Sequence, residues 1–132
     1  MAMFREPQLI LFSPDVTRVA QFYEKLGFHE TFRVPTEGRP IHIDLVLDGY
    51  RIGFSSVDSA RDDHGLEPVT DGQHTAVILW TEDTPAAYEH LLGMGAPALN
   101  PPHVWLDRLL IAWTADPDGN PIQIVQALNT QP

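Results

Sequence analysis

Residues 8–27, QLILFSPDVTRVAQFYEKLG, change their period halfway along. Gln8 to Phe12 is a short apolar run with the character of a buried strand. Ser13-Pro14-Asp15 then supplies helix-start chemistry, and Val16, Val19, Ala20, Phe22, Tyr23 and Leu26 follow helical spacing until Gly27 closes it. The same order returns later. His74 to Trp80 reads as a strand, Asp83-Thr84-Pro85 opens a helix with proline in its first turn, and Ala86, Ala87, Leu91 and Leu92 run to Gly93. A constant shift of 66 lays Gln8 on His74, Phe22 on Tyr88, Leu26 on Leu92 and Gly27 on Gly93. Helices are expected near 15–26 and 83–93.

Each helix is followed by strand material. Ile41 to Leu47 alternates and meets Asp48-Gly49, then Tyr50 to Phe54, and Asp-Gly between two such runs signals a hairpin. Leu109 to Ala115 meets Asp116-Pro117-Asp118-Gly119, then Asn120 to Val125. A shift of 70 here sets Asp48-Gly49 on Asp118-Gly119 and Gly53 on Gln123. The chain therefore reads as α+β, with two tandem βαβββ modules, about 5–57 and 72–127, in one domain spanning 1–132. A polar connector, 58–71, joins them and reads as loop.

The 132 residues, 43% apolar and 20% charged, suit a single soluble globular domain. The net charge of −10 argues against nucleic acid and anionic membranes. It is unevenly spread: residues 1–66 carry seven basic and ten acidic side chains, whereas 67–132 carry one basic and eight acidic. The absence of cysteine removes disulfides, thiolate metal sites and cysteine nucleophiles. Met1 to Pro7 lacks the apolar run of a signal peptide, and no stretch approaches the ~20 residues of a membrane span. A cytoplasmic location is expected.

The two modules, with SPDVTRVAQFYEKLGF at 13–28 and DPDGNPIQIVQ at 116–126, closely resemble the vicinal oxygen chelate superfamily, also called the glyoxalase/bleomycin resistance/dioxygenase group. The resemblance covers nearly the whole chain. It implies mostly antiparallel sheets cupped around a cleft, with the helices outside. It leaves function open, because relatives include glyoxalase I, extradiol dioxygenases, fosfomycin-modifying enzymes, methylmalonyl-CoA epimerases and metal-free drug-binding proteins. Metal-dependent relatives take ligands from the first strand and the hairpin return strand of each module, usually His or Gln on the former and Glu on the latter. The repeat puts those positions at Gln8, Gly53, His74 and Gln123. One imidazole, two neutral amides and a bare glycine leave a divalent charge uncompensated and give a bound water no carboxylate base. Neither metal nor cofactor is expected. Gln8, His74 and Gln123 are expected to line a polar floor for a ligand.

A two-residue turn at Asp48-Gly49 sets Val46 opposite Arg51, Asp44 opposite Gly53 and His42 opposite Ser55, with opposite side chains sharing a face. Asp44 then stands beside the bare Gly53, either as a substitute metal carboxylate or, by preference, in an ion pair with Arg51. His29, His64 and His90 read as surface residues. Of three tryptophans, Trp113 is expected in the core and Trp105 as a stacking wall for a planar ligand. Ser13, Ser55 and Ser56 lack the Gly-x-Ser-x-Gly context of a serine nucleophile.

The expected function is metal-free binding, resembling bleomycin-resistance-type proteins that protect against an antibiotic by sequestering it. The lining would be Gln8, Phe12, His42, Asp44, Arg51, Phe54, His74, Trp105 and Gln123, and the acidity favours a cationic or aromatic drug-like ligand. One alternative is a glyoxalase-like lyase or isomerase, or a ring-cleaving dioxygenase, with a divalent metal held by Gln8, His74, Gln123 and Asp44. Another is a metal-independent acid/base catalyst using His74 or the His42–Asp44 pair. A homodimer is expected, since unpaired module edges invite edge-to-edge or swapped association.

Overall fold

A computed structural model of the chain describes residues 3, 5–72 and 75–128. They fall in two compact units, Met1–Asp71 and Gly72–Pro132. The first runs β1 (Leu9–Ser13), α1 (Val16–Glu24), β2 (His29–Val34), β3 (His42–Leu47), β4 (Tyr50–Ser56) and α2 (Val57–His64). Its strands form one sheet in the order β1-β4-β3-β2, with β1 parallel to β4 and the other neighbours antiparallel.

Helix α1 starts at Asp15, whose carboxylate accepts the Arg18 amide at 3.1 Å and satisfies a donor that the first turn leaves orphaned. Val16, Val19, Ala20, Phe22 and Tyr23 are its buried side. They pack on β3 and β4, where Ile43, Leu45 and Phe54 are fully buried. Tyr23 is the centre of this core. Its ring stacks on Phe54 at 5.3 Å and meets Phe22 and Phe28 edge-on at 5.2 and 5.5 Å. Each such ring contributes roughly 1.5–3 kcal/mol relative to exposure. The Asp48-Gly49 turn has positive φ at both residues, 52° and 83°, the type I′ geometry that matches strand twist. The register is the expected one, with Val46 opposite Arg51, Asp44 opposite Gly53 and His42 opposite Ser55. On β2, the Arg33 guanidinium grips Glu30 through two bonds of 2.9 and 3.0 Å and holds its carboxyl below the usual value.

The reading of 58–71 as loop is corrected at its start, where Val57–His64 is helix α2. Ser56 caps it by accepting the Ser59 amide at 3.0 Å, and Gly65 closes it in the left-handed conformation at φ 66°. Only Val57 and Ala60 are buried, too few for an apolar stripe to be visible in the sequence.

The second unit repeats the plan with β5 (Val77–Trp80), α3 (Thr84–Gly93), β6 (Asn100–Trp105), β7 (Leu109–Ala115) and β8 (Pro121–Ala127), in the order β5-β8-β7-β6. The Asp116–Gly119 turn is organised by the buried Asp116 carboxylate, which accepts the amides of Asp118 and Asn120 at 2.9 Å and the Asn120 side chain at 2.8 Å. No helix among the described residues is long and apolar enough to cross a membrane.

The structure revises the first repeat shift from 66 to 68. Asp15 and Asp83 are the two helix caps, and Val16/Thr84, Ala20/Tyr88 and Tyr23/Leu91 are buried in pairs. Gly27 and Gly95 follow the helices at φ 109° and 96°, whereas Gly93 is still helical. Strand pairing agrees, since Leu9 faces Ile52 where Val77 faces Ile122. A slip of two leaves every strand residue on the same face, so alternation cannot detect it. The counterpart of Gln8 is therefore Ala76, not His74.

Candidate functional site

In the first unit, α1 covers one face of the sheet. The alternate side chains point to the other: Ile10 and Phe12 on β1, Arg51 and Ser55 beside Gly53 on β4, His42 and Asp44 on β3, and Phe32 on β2. At the middle of that face, three polar groups are joined in a chain. His42 Nδ1 lies 2.6 Å from the Ser55 hydroxyl, and His42 Nε2 lies 2.7 Å from Asp44 Oδ1. With Asp44 ionised, Nε2 carries the ring proton and donates it to Oδ1, so Nδ1 accepts the Ser55 hydroxyl proton. Asp44 is only 8% exposed, and the imidazole gives its carboxylate a hydrogen-bond partner.

Gly53 makes room for this chain. A Cβ built there would lie 2.9 Å from both Asp44 Oδ1 and His42 Cε1, closer than such atoms approach. The His42–Asp44 pair is thus folded over the glycine that faces it across the hairpin. Around it stand Phe12, Phe32 and Ile10, all partly exposed, with the Phe32 and His42 rings 6.0 Å apart.

Several sequence expectations change here. Asp44 takes His42 as its partner rather than Arg51, whose guanidinium instead reaches the Gln8 side-chain oxygen at 3.4 Å. The reason is register: His42 lies two residues from Asp44 on the same strand and face, nearer than the diagonal position of Arg51. Phe54 is not on this face. It alternates toward α1 and is fully buried against Tyr23, so it belongs to the core. His74 lies outside the described residues. His29, His64 and His90 are exposed, as expected.

In the second unit, Gln123 faces Ile78 on one side and Trp113 on the other. Trp113 is half-buried rather than deep in the core, and it shares a face with Gln123. Trp80 and Trp105 are 66% and 53% exposed. Ile10 and Phe32 were not singled out by sequence. The Asp-Gly hairpin register had already paired His42 with Ser55, and that was the signal for the third member of the chain.

A separate groove of about 710 Å³ in the first unit is lined by Pro14, Arg39, Ile41, Asp58, Arg61 and Asp62 among others. None of the residues expected from sequence lines it.

The four positions at which metal-dependent relatives hold a divalent ion correspond, in the corrected register, to Gln8, Gly53, Ala76 and Gln123. Two neutral amides and two positions without a donor do not fit such an ion. The Gln8 oxygen, moreover, is already engaged by a guanidinium that would repel a cation. Among the described residues, no three His, Asp or Glu side chains come together as a metal cluster.

A family model described as Glyoxalase/Bleomycin resistance protein/Dioxygenase superfamily matches residues 6–124. No curated protein matches the chain. Among solved structures, hypothetical protein SA1046 from S. aureus superposes with a TM-score of 0.79 at 16% identity, covering 96% of each chain. TioX from Micromonospora sp. ML1 gives 0.74 at 18% identity, covering 94% of this chain and 100% of that one. A glyoxalase-related enzyme from Fulvimarina pelagi gives 0.76 at 22% identity, covering 93% and 88%.

Proposed function

Because the chain belongs to the Glyoxalase/Bleomycin resistance protein/Dioxygenase superfamily, we propose that it is a metal-independent member that binds and sequesters a drug-like aromatic or cationic molecule. One observation carries this reading. Where a metal-dependent relative would place a carboxylate ligand, this chain has Gly53, and the space above it is filled by the His42–Asp44 pair. The pair is framed by half-exposed Phe12 and Phe32, which suits an apolar ligand with a polar anchor. The net charge of −10 favours capture of cations.

The test is a fluorescence titration of chelator-treated protein with a panel of planar aromatic amines, followed by mass spectrometry of the recovered compound. Saturable binding with the compound unchanged is expected. The hydrogen-bonded Ser55–His42–Asp44 chain favours a second reading, metal-independent proton transfer on the bound molecule. Recovery of an isomerised or cleaved compound would decide for it.

A further inference from the structure

We infer that Asp44 is the subsite for a protonated amine, an assignment that rests on the binding reading above. The argument is one of hydrogen-bond direction. With the imidazole neutral and Nε2–H given to Asp44, both mobile protons of the Ser55–His42–Asp44 chain are spent within it: the Ser55 hydroxyl proton on Nδ1 and the Nε2 proton on Oδ1. What the chain has left to offer is then acceptor capacity, namely the lone pairs of the Ser55 oxygen and Asp44 Oδ2, for which no hydrogen-bond partner stands among the described residues. A ligand meeting this point must bring donors. The carboxylate carries the formal charge, so a donor that is also a cation gains a charge-assisted bond, roughly twice as strong as a neutral one.

The surroundings narrow the class further. Phe32 is the strand neighbour of Asp44 and is 51% exposed, and Phe12, beside Ser55, is 39% exposed. One aromatic ring beside the carboxylate and another at the Ser55 end of the chain suit an ammonium carried on an aromatic or aliphatic frame. Among the described strand residues, Arg51 is the one Arg or Lys on the same face, and its guanidinium reaches Gln8 instead of Asp44. A serine nucleophile is the weaker use of these groups. Ser55 sits on β4, between β1 and β3, and strand pairing occupies the backbone there, leaving no pair of amide donors to hold an oxyanion.

The test compares 9-aminoacridine, a cation at mildly alkaline pH, with acridine, which is neutral there and nearly the same shape. Wild type is expected to bind the cation roughly tenfold more tightly, the scale of one charge-assisted bond. Asp44→Asn keeps the shape and an oxygen for His42 and should bring the two affinities within about twofold by weakening the cation alone. Gly53→Ala forces the pair to move and should lower the same preference, giving a second measurement should Asp44→Asn not fold. Equal binding of both acridines by wild type, or an unchanged preference in Asp44→Asn, would overturn the subsite and leave the binding reading standing. Binding of neither compound would overturn both.

Discussion

Gly53 carries no side chain, and its neighbours explain why. Alanine would remove part of the backbone entropy cost of glycine in a strand, a gain of about 0.5–1 kcal/mol. Its Cβ would also displace His42 and Asp44 from bonds of 2.6 and 2.7 Å, each worth about 1 kcal/mol. Gly53→Ala is therefore expected to lose only about 1 kcal/mol by urea denaturation while the amine preference falls. Phe12 and Phe54 separate in the same way. Phe54→Ala opens a cavity against Tyr23 and should cost about 3–5 kcal/mol. Phe12→Ala, at a half-exposed position, should change the urea midpoint little and weaken acridine binding instead. Sequence alone treated the two alike, because each stands in an apolar run and only the pairing of β1 and β4 decides which face it takes.

The elements were legible where their chemistry is local. Asp15 and Asp83 as caps, the Asp48-Gly49 turn and the alternation of β3 all follow from residue types at fixed offsets. What stayed hidden has physical causes. A two-residue slip preserves strand facing, so the equivalence of Gln8 and Ala76 needed the pairing of whole strands. Helix α2 is polar on most of its surface and is marked only by its ends, Ser56 and Gly65. Ser56→Ala should therefore destabilise the protein by about 1 kcal/mol, an effect a loop residue would not give, measured by thermal or urea unfolding. The turn between β6 and β7 passes through Leu106 and Asp107 at φ 56° and 57°, without the glycine that usually announces such a turn.

For the whole molecule, the repeat of one strand–helix–hairpin plan explains why the family could be read from sequence, whereas the proposed ligand rests on details of one face of one unit. The expected homodimer is checked by light scattering at tens of micromolar, where a monomeric mass would count against it. Nickel or zinc should leave the melting temperature unchanged, since a ligand raises it only by binding the folded state. The most direct measurement is the affinity of the chelator-treated protein for 9-aminoacridine, titrated before and after nickel is added. The account predicts saturable binding without metal and the same Kd with it. Binding that is absent after chelation and returns with nickel would contradict it.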